Sequence, residues 1–422
     1  GKMAGVSVTT TEGDPDADIK IRVRGGGSIT QSATPLYIVD GFPMESISDI
    51  PSSEIKSIDV LKDASSTAIY GSQGANGVII VTTKSGEPTA AKAAVTLTAK
   101  VGFSQLARGL DLMSAAEFAS YNNDRIDFSK SSTGMVYPAT PSYTEKYMDP
   151  EALGAGTDWL DAITRIAPFQ EYGLSVSGNA RQTNYFASLS YADDEGIVLD
   201  SGSSRLSGRI NIGHKFNKWL KIDYSANIMY RNNRNNKASI GGTGVWSGAV
   251  YISPVLGIDS EVNDLYNYGQ GAPFNNPYIS IKQSVNERRS FSNTQTISLT
   301  LTPVKGLTIR SRNTYYKYDT HLYKYLPGTL PARKLASTGG EVQRQDSDLL
   351  QLNTDNTITW KGDGGTVLAT TKANHGATPS YSGATPTKAA TAQHTYTFSG
   401  WSPAVAKATK DATYTAQFNA TK

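Results

Sequence analysis

The chain of 422 residues contains no cysteine, which removes disulfides, thiolate nucleophiles and cysteine-type zinc sites together. Its four histidines, His214, His321, His375 and His394, are scattered over three kinds of segment, so a histidine metal cluster is not expected. Charge is scarce as well. Charged residues make up 18% of the chain and the net charge is +3, which gives no electrostatic footprint for nucleic acid. Apolar runs stop at about five residues, far below the roughly 20 that a membrane-crossing helix requires. Any membrane contact must therefore be made by strands. The sequence opens GKMAGV, without an initiator methionine or a charged-then-apolar leader, and so reads as lacking a signal peptide. G-x-S-x-G, H-E-x-x-H and Walker patterns are missing too. Asp193, Asp194 and Glu195 share a turn, where solvation is the expected role. Asp14, Asp16 and Asp18 have the spacing that opens a calcium loop, but Ile19 stands where that loop needs glycine and Gly25 where it needs glutamate. Neither an enzyme, a cofactor nor a resident metal is expected.

Glycine and tyrosine take the place of what is missing. With 39 Gly, and 23 Tyr against 11 Phe, the composition leans toward β-walls that have one wet and one greasy face. Residues 1–90 mix strands and short helices: IKIRVR alternates, PLYIVDG ends in an Asp-Gly turn, and IPSSEIKSIDVLKD reads as a Ser-capped helical turn entering a strand. Residues 91–360 show segments of roughly 8 to 12 residues with period-two alternation, the signature of transmembrane β-strands. In RLSGRINIGHKF, Leu206, Ile210 and Ile212 share one face while Arg205, Arg209 and Asn211 share the other. WLKIDYSANIMY repeats the pattern. Val95 to Phe103, Tyr172 to Gly178, Tyr185 to Tyr191, Phe291 to Thr302, Leu307 to Tyr316 and Leu350 to Trp360 bring the expected strands to eight. Residues 361–422, rich in Ala, Thr and Lys, read as a separate small β-rich module. The expected fold is mainly β: a small α+β domain, an antiparallel amphipathic sheet of about eight strands, then that module.

The stretch AIYGSQGANGVIIVTT tests a nucleotide reading. A phosphate-holding glycine loop follows a strand and opens a helix, whereas here helix-like DASSTAIY comes before the glycines and a strand after them. Gly71, Gly74 and Gly77 therefore read first as turn positions needing positive φ.

The run from IRVRGGGSITQSATPLYIVDGFPMESISDIPSSEIKSIDVLKDASSTAIYGSQGANGVIIVTTKSG closely resembles the plug domain of SusC/RagA-like TonB-dependent outer-membrane transporters. TDWLDAITRIAPFQEYGLSVSGNARQTNYFASLSYADDEGIV resembles the first barrel segments of the same branch. The resemblance implies an importer of oligosaccharides or peptides in the outer membrane of a Gram-negative bacterium: a plugged 22-strand barrel, energised by the TonB complex and capped by a SusD-like lipoprotein. It also marks Arg22, Arg24, Gly25, Gly26, Asp40, Gly41, Tyr70 and the three loop glycines as plug signature, with a gating role as one reading and plain structure as the other. Arg22 and Arg24 either pair with carboxylates on the inner barrel wall or form a solvated strand face. Trp246, Tyr251, Tyr266 and Tyr268 either stack on sugar rings or pack. The tail resembles an internalin-type β-grasp repeat, and this motivates a second reading as a surface adhesion or scaffold protein. Eight strands of such a wall are not expected to close or to transport alone, because strand number, tilt and stagger are linked and two edges stay unpaired. The pattern as a whole reads as a truncated or chimeric chain.

Overall fold

The computed structural model describes the chain outside residues 1–5, 11–14, 16–18, 24–33, 45, 48–49, 62–66, 86–92, 132–145, 236–243, 261–275, 303–307, 331–332, 334–336, 338, 362–366, 372–377, 392, 403, 408–413 and 422. A small first unit contains a hairpin of β1 (Val6–Thr10) and β2 (Ile19–Val23). Beside it lies a four-stranded sheet, ordered β4-β3-β6-β5, of β3 (Leu36–Val39), β4 (Phe42–Met44), β5 (Ile55–Leu61) and β6 (Val78–Thr83). β3 and β6 pair in parallel at its centre. Central strands covered on both faces need continuous apolar runs rather than alternation, and Tyr37, Val39, Ile79 and Val81 accordingly form a core with Val23 and Ile50.

The Asp-Gly turn forms between β3 and β4. Asp40 and Gly41 both take positive φ, 49° and 88°, as a two-residue type I′ hairpin loop demands. Two local expectations need correction. The helical turn Ser52–Glu54 starts from Pro51 with no side-chain cap bond, so serine does not cap it. Past Thr67, a 3-10 helix covers Ala68–Gly74 and so occupies part of the expected loop; it breaks inside at Gly71, whose φ of 60° and ψ of −146° are not helical.

Eight long strands then form one antiparallel wall: β7 (Ala94–Ser104), β8 (Ala167–Ala180), β9 (Thr183–Glu195), β10 (Gly202–Lys215), β11 (Leu220–Arg234), β12 (Val285–Leu301), β13 (Ile309–Leu326) and β14 (Glu341–Lys361). Each pairs with its sequence neighbour. All eight expected strands are present, and all are longer than their alternation suggested. Beyond the greasy band both faces meet water, so alternation fades while backbone pairing continues.

The two faces of the wall are opposite in kind. Leu97, Leu174, Leu189, Ile210, Ile228 and Ile297 point outward and are exposed, while Ser190, Ser207, Arg209, Asn227, Ser292 and Thr314 point inward and are buried. A water-soluble sheet would bury the first set and expose the second; this pattern suits lipid outside and a polar interior. No helix among the described residues is long and apolar enough to cross a membrane, which says nothing about strands.

Connections at one end of the wall are short, such as Arg181–Gln182 between β9 and its predecessor, while the other end carries the long ones, from β7 to β8, β11 to β12 and β13 to β14, beside a short one from β9 to β10. The long ones carry α1 (Ala115–Ser131), α2 (Trp159–Ile163), α3 (Val245–Tyr251) and α4 (Pro277–Gln283). Ser114 and Glu117 close a reciprocal capping box at the start of α1. The Ser114 bonds hold the Glu117 carboxyl below its usual range, so the box is intact at neutral pH and is lost as pH falls through that lowered value. α2, α3 and α4 share a core of Trp159, Leu160, Ile163, Val245, Ala249 and Ile281. The Trp159 indole Nε1 donates to the Ser253 carbonyl at 3.0 Å, tying the β7–β8 connection to the β11–β12 connection.

The segment NTITW continues β14 to its end, and β15 (Val367–Thr371) folds back on it. β16 (Thr395–Ser402) and β17 (Thr415–Thr421) form a hairpin that joins the wall through one parallel bridge, Lys361 to Thr415. Phe398, Trp401 and Phe418 make edge contacts within it.

Candidate functional site: the seam between the small unit and the wall

The small unit sits against the inner face of the wall, and among the described residues a cluster of polar contacts fastens it. Glu54, at the end of its 3-10 turn, accepts from Arg209 Nε on β10 at 2.7 Å and from the Ser188 hydroxyl on β9 at 2.6 Å. The relative side-chain exposures of Arg209 and Glu54 are 4% and 3%. Arg209 also donates to Thr83 Oγ1 at 3.2 Å and stands 3.6 Å from Asp40 Oδ2. Asp40 is in turn held by the Thr83 amide at 2.9 Å and the Thr83 hydroxyl at 2.6 Å. Asn211, two residues along β10, donates to the Lys84 carbonyl at 2.7 Å. The β3–β4 turn thus carries a carboxylate to the end of β6, and β10 lays a guanidinium across both.

A guanidinium with fixed donors suits this role, because it can serve several acceptors from one position. Such a pair is not a cheap source of stability, since desolvating both charges offsets their attraction. Its effect is specificity: the small unit is seated in one register, and losing either partner strands a buried charge. Around it the seam is made of small hydroxyls, such as Ser190 and Ser207 with oxygens 2.7 Å apart. Hydroxyls and charges alike regain water when surfaces part, so the ion pair fixes where the small unit sits more than how strongly it is held. Higher up, Phe42 tilts against Tyr316 of β13 at 5.4 Å. A cavity of about 420 Å³ lies on the side of the short connections, lined by Asp40, Thr83, Asn211, Lys221, Arg310 and Arg312 among others.

A family model described as TonB-dependent Receptor Plug Domain matches residues 1–78. TonB-dependent receptor P26 of Formosa agariphila is 29% identical over 367 residues, which cover 86% of this chain and 36% of that protein. TonB-dependent receptor SusC of Bacteroides thetaiotaomicron is 34% identical over 306 residues, 69% of this chain and 27% of the relative. The solved RagAB peptide importer in its closed-closed state aligns with a TM-score of 0.68 and 27% identity over 85% of this chain and 42% of that one. The chain belongs to the SusC/RagA-like TonB-dependent receptors. It spans about a third of the length of the curated relatives it matches. The small unit is the plug, and β7 to β14 are part of the barrel.

The plug signature residues fall in different places. Asp40 and Gly41 stand at the seam, and a Cβ on Gly41 would run into the Arg312 guanidinium. Arg22 is exposed on β2, opposite Ser7, a solvated strand face; Arg24, Gly25 and Gly26 lie outside the described residues, as do Asp14, Asp16 and Asp18. Tyr70 is half-buried on the 3-10 helix. Gly74, against expectation, does not take a positive φ; what limits it is space, since a Cβ there would come within 2.9 Å of the Thr67 carbonyl. Trp246 packs on the α2–α4 core, Tyr251 is exposed, and Tyr266 and Tyr268 are outside the described residues.

Gly71 and Gly77 make a test of two separate demands. Both have positive φ, 60° and 91°, but a Cβ on Gly71 meets nothing while one on Gly77 meets Val23 at 2.9 Å. Gly71→Ala should cost only the conformational term, roughly 1–3 kcal/mol for a backbone conformation close to one that only glycine adopts readily. Gly77→Ala should cost more, because Val23 belongs to the plug core. Limited proteolysis of the plug in the two variants of the intact receptor checks the order.

Proposed function

We propose that the chain supplies the plug and opening barrel strands of an importer in the outer membrane of a Gram-negative bacterium. The TonB complex drives it from the side of the short connections, and a SusD-like lipoprotein works at the side of the long ones. The reading rests on one observation above all: a wall greasy outside and polar inside, obstructed by a plug that meets it at the buried Arg209–Glu54 ion pair. A barrel of the expected size leaves a lumen that must be plugged to keep the membrane a barrier. The substrate is an oligosaccharide or a peptide, the latter being what the RagAB title names for that protein. Division at residues 90 and 360, with 361–422 as a β-grasp-like module, belongs to the same proposal; no observation favours the adhesion reading over import.

Deleting the gene should leave growth on rich medium unchanged and abolish uptake of one oligosaccharide or peptide class, while the receptor in the parent strain fractionates with outer membranes. Unchanged uptake of every such class, measured with labelled oligomers, would overturn the proposal.

A further inference from the structure

Three cavities lie in line along the seam. The upper one, about 430 Å³, is on the side of the long connections, between Tyr37, Ile47 and Ile55 of the plug and Ala192, Asp194 and Ser203 of the wall. The lower one is the cavity of about 420 Å³ on the side of the short connections. Between them is a pinched space of about 30 Å³. Ile50 lines both the upper and the middle spaces, while Asp40, Ser225 and Thr296 line both the middle and the lower. Along this line, among the described residues, one constriction separates the two sides of the plug.

The two walls of the constriction differ in kind. The barrel side presents short polar side chains, Ser225, Asn227, Thr294 and Thr296, beside Arg209. Asn227 Oδ1 and Thr294 Oγ1 are buried there with no hydrogen-bond partner, and buried polar atoms of that kind are served by water. The plug side is closed by Val39, Phe42, Met44 and Ile50. Val39 and Ile50 belong to the plug core, so neither can leave without undoing the plug. Phe42 and Met44 are the two ends of β4.

β4 is held more lightly than any other strand of the plug sheet. It stands at the edge, and among the described residues it pairs with β3 alone, Tyr37 with Met44, Ile38 with Pro43 and Val39 with Phe42. Pro43 confines it to that edge, because it has no N–H to offer a further strand. Phe42 is 3% exposed, yet its aromatic contact is with Tyr316 of the wall, and Met44 only flanks the plug core. The turn that leads into β4, Asp40-Gly41, has positive φ at both positions. Hinges are short segments of this sort that absorb a change in φ and ψ. The firm attachments, Glu54 to Arg209 and Lys84 to Asn211, grip β10 instead.

We propose that β4 is the gate of the plug. It swings off β3 about Asp40-Gly41 while the rest of the plug stays seated on β10, and the three cavities then join into one polar passage along β11 to β13. The motion gives up a short edge ladder and the contact of Phe42 with Tyr316, and leaves the core of Val23, Tyr37, Val39, Ile79 and Val81 in place. The proposal deepens the importer reading and rests on it for what passes, but not for the motion itself.

Amide hydrogen exchange of the intact receptor, read by mass spectrometry, tests the motion. The amides of Phe42 and Met44 should exchange at least about tenfold faster than the bonded amides of β5, the opposite edge of the same sheet. Equal protection would overturn the proposal. Paired cysteines test the passage, in a chain that has none of its own. Ile38→Cys with Pro43→Cys staples β4 to β3, and Ser57→Cys with Thr82→Cys staples β5 to β6; residues directly opposite on antiparallel strands have Cα atoms about 4.5–5.5 Å apart, within reach of a disulfide. When oxidised, the first staple should lower uptake of labelled oligomers into cells at least about tenfold, and reduction should restore it. The second staple should leave uptake unchanged. Undiminished uptake with the first staple closed would overturn the proposal, and so would an equal loss with the second, which would mean that the plug opens as a whole. If exchange is as expected and wild-type cells take up no oligomer, the importer reading fails while the gate stands.

Discussion

Removing the Glu54 carboxylate should unseat the plug while leaving the barrel wall folded. Glu54→Ala strands the Arg209 guanidinium in a place with 4% side-chain exposure, and breaking a buried pair from one side costs roughly 3–5 kcal/mol. Arg209→Ala should cost a similar amount by stranding Glu54. Replacing both, with Glu54→Leu and Arg209→Met, removes the stranded charge and should recover much of the loss, because the desolvation of two ions is no longer required. In the intact receptor the single variants should show faster proteolysis of residues 52–84 and larger ion conductance across planar bilayers than the double variant. Asp40 and Thr83 sharpen the expectation. Both touch Arg209 from the plug side, so Asp40→Asn should weaken the seat less than Glu54→Ala. Conductance in Glu54→Ala equal to wild type would show that the hydroxyl seam alone holds the plug.

The wall was legible in the sequence because its physics is local. Period-two alternation reports two faces in different media, and eight segments of it became eight neighbouring strands. The Asp40-Gly41 hairpin was legible for a similar reason: few dipeptides accept positive φ twice. The seam was not legible. Glu54 and Arg209 are 155 residues apart, and each looked ordinary where it stood, one a polar residue in a short turn, the other one of several polar side chains on an inner face. Of the two readings open for Arg22 and Arg24, a wall-carboxylate pair or a solvated strand face, Arg22 stands on an exposed strand and Arg24 lies outside the described residues; the buried pair that the structure does show has its carboxylate on the plug and its guanidinium on the wall. The only signal in advance was that Arg209 lies in the apolar-polar alternation at the mid-depth of β10, where an inward charge needs a partner from whatever fills the lumen. The break at Gly71 was hidden because a glycine-rich sequence tolerates both a loop and a kinked 3-10 turn.

The membrane assignment of the wall leads to the second large effect. Ile210 is 45% exposed and lies outward on β10, opposite Ala187 and Ala226, between Leu206 and Ile212 in the middle of the greasy band. In lipid, Ile210→Arg should cost about 2–4 kcal/mol, the penalty for a cation near the bilayer midplane of a β-barrel. In water the same change would be close to neutral, because an exposed isoleucine on a soluble sheet gives up little on becoming polar. The sign of the result therefore distinguishes a lipid face from a wet one. Thr320→Arg is the matched control. Thr320 lies on the opposite face of β13, across from Ser290 and Ser347, where an added cation meets the polar lumen and should change stability by less than about 1 kcal/mol. Urea titration of the intact receptor refolded into lipid vesicles, read by the heat-dependent shift in gel mobility of folded barrels, measures both. A large loss for Ile210→Arg beside a small one for Thr320→Arg is expected. The reverse order would mean that the apolar face meets water rather than lipid, and that the polar face is the closely packed one.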